Sequence, residues 1–469
     1  MKRREFLSSA GAAAACCLAP RLLRAQTRAH DAAASISGTL TIDESATLAT
    51  IPPDFTGLSY ESAQLANPAF FSAENTALIA LFRELGEQGV LRLGGGTSEF
   101  TAFTTDEAKA HAPFDTVGPD TSKNVKSETP ITPKSLRNLR AFLDAAGWRC
   151  LYGLNLGRGA IDRATEEAFH AHEILGPRLI AFQLGNEPDA WRNRYRPVSW
   201  TYADYWKEWS AAHAAIVARV PDAKFAGPDV SNKMAYVTGF AEDVKRSAAD
   251  VTLLTSHYYA MGPAGAPGMT IDKMLSADPK LERDLEIAMA AARGAGLPYR
   301  MSEGNSCWNG GQPGVSDTLA SALWVADTML EFASLGCAGV NLHGGGNGFY
   351  TPIAGSLAKG FERRPEFFGM KMTRPFAGAT LIASKLDCAN DRVRAYAARR
   401  EDRTLVLVIN KTEKPAAIYT SLGLARQQWL LAGPAIDAKQ GVTLTESSAN
   451  ALRKGALRVP GHSAILLEA

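Results

Sequence analysis

With 469 residues, 46% of them hydrophobic, the chain can bury a large core and form two or three domains of ordinary size, which excludes a disordered or fibrous protein. The formal net charge of +2 falls to −2 without the first 26 residues, which carry Lys2, Arg3, Arg4, Arg21 and Arg24 against the single acid Glu5. A mature surface this near neutrality, without basic runs, argues against nucleic acid as a partner.

Arg3-Arg4 and the Ala-rich run from Ser8 to Pro20 follow the order of an export signal, and the run is too short for a membrane span. Residues 1–26 are therefore read as a twin-arginine signal cleaved near Ala25. The mature protein is then periplasmic or extracellular, with no stable membrane insertion. Lipidation of Cys16 or Cys17 ranks below this, because no bulky aliphatic precedes them as in a lipoprotein box. The remaining cysteines, Cys150, Cys307, Cys337 and Cys388, lie far apart, which argues against a zinc site and a disulfide scaffold.

Across residues 46–375, short apolar runs alternate with stretches of helical period, the rhythm of βα units around a parallel sheet. The runs are Phe55–Tyr60, Val90–Leu93, Cys150–Leu154, Leu179–Leu184, Lys224–Gly227, Val251–Ser256, Tyr299–Ser302 and Ala338–Leu342. Leu78, Ile79, Leu81, Phe82 and Leu85 share one helix face before Gly86, and Leu136, Leu139, Phe142 and Leu143 repeat the pattern after Thr132-Pro133. Tyr205, Trp206, Trp209, His213, Ile216 and Val217 read the same way, as core. Eight strands with eight helices predict an α/β fold, a (β/α)8 TIM barrel. An open doubly wound sheet would carry an early Gly-rich phosphate loop, and Gly94-Gly95-Gly96 lacks that spacing; it reads as a tight strand-end turn near a ligand. Residues 112–130 read as an excursion over the barrel mouth. Over 376–469 the texture changes to short alternating runs between turn residues, a C-terminal antiparallel β-sandwich to which residues 36–45 add a strand.

Cleaving a glycosidic bond needs one carboxyl group to protonate the leaving oxygen and another to attack the anomeric carbon or activate water. Glu187 follows the run Leu179–Leu184 and ends strand four, where Pro188 cannot continue the ladder. Glu303 follows Tyr299–Ser302 and ends strand seven, opposite strand four across the mouth. The pattern thus predicts a retaining pair, Glu187 as general acid/base and Glu303 as nucleophile, with Asn186 donating to the sugar 2-hydroxyl. Asp189 and Glu61 are lesser candidates. No metal or organic cofactor is implied, because two carboxylates suffice.

Gly185-Asn186-Glu187-Pro188-Asp189 and the segment from Ser302 to Gly311 resemble glycoside hydrolase family 79, which holds heparanase and bacterial β-glucuronidases. The resemblance runs from Phe55–Glu61 through Leu91–Gly95 and Ser316–Thr318 to Asn341–Gly345, nearly all of the mature chain. It implies a carbohydrate substrate, a β-glucuronide, and the same two glutamates. It also implies that Tyr259 and Tyr350 hold the glucuronate carboxylate, that the N–H groups of Gly310 and Gly311 complete that pocket, and that Glu61 contacts sugar hydroxyls. Trp308 stands where heparanase-like members have Tyr, and Gly96 where a polar residue is common. The alternatives are a barrel of the same clan acting on a neutral β-sugar, and a catalytically silent carbohydrate-binding protein.

Overall fold

The computed structural model describes residues 36–109, 115–118, 121–420, 425–448, 452–453 and 456–469. The export signal read over 1–26 lies outside the described residues. Among those described, no helix is long and apolar enough to cross a membrane.

Eight parallel strands close into a barrel: Thr56–Glu61, Val90–Gly94, Arg149–Leu154, Leu179–Leu184, Phe225–Val230, Val251–Pro263, Tyr299–Trp308 and Gly339–His343, the last pairing with the first through Val340 and Thr56. Each predicted run falls on one of these strands. The helices between them bury the apolar stripes that the spacing predicts. Thr76–Leu85 is capped by Asn75, whose side chain accepts from Leu78 N at 3.3 Å, and it buries Leu78, Ile79, Leu81, Phe82 and Leu85. Pro133–Ala146 starts under a Thr132 cap and stops at Gly147, which takes a left-handed C-cap. Tyr202–Arg219 opens with a Thr201/Asp204 capping box and packs Tyr205 and Trp209 inward.

Side chains alternate along a strand, so the inward-facing residues stack in layers inside the barrel. Val90, Leu151, Ala181, Ala226 and Leu253 form one small apolar cluster. Two residues further along the same faces stand Arg92, Gln183 and Thr255, all buried. A barrel interior of this size is ordinarily packed with branched apolar side chains; here the layer under the mouth is polar. Gly94 makes room for it, because a Cβ there would come 2.1 Å from Arg92 Cζ. At the other end, Arg300 Nε donates to Asn341 Oδ1 at 2.6 Å, and its guanidinium also serves the carbonyls of Asp54, Phe55 and Ala338.

Apart from two short two-stranded ribbons, the remaining strands form one ten-stranded sheet, and its two layers are halves of that sheet. Ile36–Thr50 runs through its middle, antiparallel to Thr380–Cys388 on one side and parallel to Ala416–Thr420 on the other, so the sheet is not wholly antiparallel. Leu40, Val406, Val408, Ile418, Leu457 and Ile465 fill the space between the halves. The opposite faces, with Leu405, Leu407 and Leu466, join the core of the barrel helices. Of the mouth excursion, Thr101–Phe103 pairs with Thr129–Ile131, and Val117 and Val125 pack on Ala63.

Candidate active site

The fourth barrel strand ends at Leu184, and the chain then turns sharply through Gly185 at φ 83° to Glu187 at φ 52°. A left-handed glutamate costs about 1–3 kcal/mol unless its surroundings hold it. Here the Glu187 N–H donates to the Asp229 carbonyl at 3.0 Å, and the Asn186 N–H to Glu99 Oε1 at 2.6 Å. The Glu187 carboxylate faces the mouth, 24% exposed, with Oε1 3.1 Å from His257 Nδ1.

Glu303 lies on the seventh strand. Its Oε2 accepts from Arg92 Nη1 at 2.5 Å and its Oε1 from the Tyr259 hydroxyl at 2.8 Å. One carboxylate oxygen of Glu187, one of Glu303 and a ring nitrogen of His257 all lie within 4.8 Å of one another. The glutamates from opposite strands therefore share one space.

Charge in this space is balanced by buried ion pairing. Arg92 Nη2 donates to Asp229 Oδ2 at 2.5 Å and to Asn186 Oδ1 at 2.8 Å. Asp229 also accepts from Gln183 Nε2 and Ser302 Oγ and lies 3.3 Å from His257 Nε2. Burial alone would neutralise His257, but Glu303 and Asp229 beside it raise its pKa to about 10, so it is an imidazolium at neutral pH. Glu187, His257 and Glu303 thus form an ion-pair arrangement. Burial likewise pushes Glu303 upward, yet His343, His257 and Arg92 together hold it below the usual carboxylate range. Asp229 is held well below that range in spite of its burial, by Arg92 and His257.

Arg92 also fixes the amide of Asn186. A guanidinium only donates, so the Asn186 carbonyl oxygen must face it, leaving Nδ2 for another acceptor. Glu61 is buried, accepting from Thr97 N and Oγ1 at 2.9 and 2.6 Å, and lies 3.5 Å from His343 Nε2. The close fit of Gly95 depends on its φ of 70°, since a Cβ there would strike the Glu61 carboxylate. Tyr259 and Tyr350 stand side by side, ring centroids 6.3 Å apart, Tyr350 buried and Tyr259 turned to the nucleophile. Asn309, Gly310 and Gly311 are all left-handed. The Gly310 carbonyl accepts from Phe349 N at 2.6 Å, which folds this turn against Tyr350. Asp189 has a structural task, accepting the N–H groups of Ser231, Asn232 and Lys233 ahead of the helix Met234–Ser247.

Sequence reasoning assigned no role to Arg92, Asp229, His257, Gln183 or Glu99. A signal for Arg92 was present: one charged residue in the middle of the apolar run Val90–Leu93. Glu99 gave none. Its carboxylate accepts the N–H groups of both Asn186 and Gly157 at 2.6 Å, and burial raises its pKa to about 7 against the pull of those bonds.

No family model matches the chain. It is 27% identical over 438 residues to a β-glucuronidase of Aspergillus niger, covering 84% of this chain and 79% of that protein. A β-glucuronidase of Neurospora crassa is 27% identical over 310 residues, 58% of this chain and 53% of that one. Among solved structures, a 4-O-α-L-rhamnosyl-β-D-glucuronidase from Fusarium oxysporum superposes with a TM-score of 0.70 at 16% identity, over 92% of this chain and all of that one. A family 51 α-L-arabinofuranosidase from Bifidobacterium longum gives 0.68 at 14% identity, over 93% and all of the respective chains. These two share the barrel-and-sheet fold. Fold, paired carboxylates and relatives together make this chain a glycoside hydrolase.

Proposed function

We propose that the chain is a retaining β-glucuronidase, with Glu303 as nucleophile and Glu187 as acid/base. The observation that carries this is the approach of the two carboxylates to within 4.8 Å, since retaining enzymes hold theirs about 5–5.5 Å apart and inverting enzymes leave room for a water. Arg92 and His257 hold Asp229 and Glu303 ionised, whereas Glu187 is more exposed and untouched by Arg92, which makes it the group suited to carry the proton for the leaving oxygen.

In the first step Glu303 attacks the anomeric carbon while Glu187 gives its proton to the departing oxygen. In the second, Glu187, now a carboxylate, takes a proton from the water that releases the sugar. Asn186 Nδ2 is the donor for the 2-hydroxyl. The β-glucuronidases among the relatives support glucuronate as the sugar. The glycine turn at 310–311 and the Tyr350 hydroxyl form a neutral donor nest suited to its carboxylate, with Tyr259 beside it and Glu61 on the ring hydroxyls. The reading over residues 1–26 adds export by the twin-arginine route.

Release of nitrophenol from a panel of β-linked nitrophenyl sugars tests this. The glucuronide should turn over fastest, and Tyr350→Phe should slow the glucuronide far more than the glucoside. Equal losses, or a faster glucoside or xyloside, would favour a neutral-sugar enzyme with the same two glutamates. Glu303→Gln should abolish turnover and keep ligand binding; an unaffected rate would remove the nucleophile assignment.

A further inference from the structure

The general acid stands on the side of the mouth where the leaving group departs, so the loops beside Glu187 meet the aglycone. Two of these loops each carry an exposed guanidinium held in no ion pair among the described residues, Arg194 acting on the buried Glu99 only through its field. Arg158, after the third barrel strand, is exposed with Cζ 4.2 Å over the Phe100 ring. Arg194, after the fourth, is exposed with Cζ 4.7 Å over the Tyr195 ring. Among the described residues neither side chain makes a hydrogen bond or an ion pair, whereas neighbouring Arg163 and Arg196 are matched to Glu128 at 2.7 Å and Glu208 at 2.5 Å. The two loops touch, since a Cβ on Gly157 would come 3.0 Å from the Tyr195 ring. Arg158, Arg194 and Glu187 all lie within electrostatic reach of the Tyr195 hydroxyl. At Gly96, between them and the barrel, a Cβ would meet nothing nearer than Arg194 Nη2 at 3.8 Å, so the space is open.

Stacking fixes the plane of each guanidinium and leaves its in-plane N–H groups free, the geometry that receives a planar carboxylate or a sulfate. Arg92 and His257 are already saturated by carboxylates and cannot play this part. We propose that Arg158 and Arg194 form a leaving-group subsite for glucuronides whose aglycone carries an oxyanion, a carboxylate or a sulfate. This rests on the β-glucuronidase reading and adds the substrate class.

The test compares 4-carboxyphenyl, 4-sulfophenyl and 4-(methoxycarbonyl)phenyl β-glucuronides in the full chain and in Arg158→Gln, Arg194→Gln and the double variant. Intrinsic leaving-group differences cancel when each variant is compared with wild type on the same substrate. The double variant should lose about fivefold or more in kcat/KM on an anionic aglycone and under twofold on the neutral ester, and salt at 0.3 M should erase most of the difference. A loss on one anion alone supports the subsite and names its ligand. Equal effects on ester and anions, with turnover retained, would overturn the subsite and leave the β-glucuronidase reading standing. No turnover of any of the three by wild type would overturn both.

Discussion

Arg92 donates to Glu303 across the inside of the barrel at 2.5 Å, although 211 positions separate the two in the chain. The same guanidinium holds Asp229 and Asn186, so one side chain sets the nucleophile, the donor for the 2-hydroxyl and a buried anion behind them. Arg92→Met should strip Glu303 and Asp229 of their guanidinium and leave them to the histidines alone, a loss of roughly 3–5 kcal/mol in stability. It should also lower kcat on an aryl glucuronide by orders of magnitude. Arg92→Lys should recover part of the stability and little of the rate, because an ammonium cannot serve three acceptors in fixed directions. Thermal unfolding and steady-state kinetics on the two variants check this; a fully active lysine variant would reduce Arg92 to a counter-ion.

His257 gives a pH signature of known sign. Its folded pKa of about 10 lies above the ordinary 6.5, so the stability it contributes is complete below about 6.5 and is lost as pH rises through about 10. Asp229 and Glu303 work in the opposite sense, their contribution being present above the ordinary carboxylate range and lost as pH falls through their depressed values. The wild-type melting temperature should therefore be highest near neutrality and fall on both sides. His257→Asn should blunt the alkaline fall. It should also move the acid limb of kcat/KM to higher pH, because the imidazolium is one of the groups holding Glu303 ionised. An unmoved acid limb would mean that His257 has no electrostatic hold on the nucleophile.

Glu99 should act on the rate through the backbone it grips. Glu99→Gln turns an –NH2 toward a backbone N–H and so loses one of the two bonds that shape the 186–187 turn and the 157 loop. Kcat should drop about tenfold to a hundredfold with KM nearly constant, the pattern of a misplaced general acid. A faster-leaving aryl group should recover much of the loss, since it needs less protonation. Equal losses on good and poor leaving groups would assign the effect to general destabilisation.

The barrel was legible because each strand is a short apolar run bounded by turn residues and each helix repeats its stripe at the helical period. Glu187 and Glu303 were legible because both follow such runs. The strands Val251–Pro263 and Tyr299–Trp308 outlast the runs that announce them, which stop at Ser256 and Ser302. Beyond those points most of the side chains are polar or aromatic, so hydrophobicity gives little sign that the strand continues. Glu99 and Asp229 escaped for a related reason. Their partners come from other strands, and a contact such as Glu99 to Asn186 spans 87 positions without any local pattern. The central strand Ile36–Thr50 showed only its first half, because register shifts between Asp43 and Ala49 break the alternation.

The sheet is tied to the barrel by a buried charge that lends itself to a clean test. Asp327, on the barrel helix Leu319–Ser334, accepts from Lys411 Nζ at 2.8 Å and from the Tyr396 hydroxyl at 2.6 Å, both from the sheet. Lys411 and Asp327 are each more than 90% buried, so the pair is desolvated on both sides. Asp327→Ala should leave the ammonium unpaired and destabilise by about 3–5 kcal/mol. Adding Lys411→Met removes the stranded charge, and the double variant should be more stable than the single one by about 1 kcal/mol or more. Neither residue touches the active-site groups, so kcat at 25 °C should stay within twofold of wild type in both variants. A double variant no more stable than Asp327→Ala would mean that packing or the tyrosine bond, and not the ion pair, holds the sheet to the barrel.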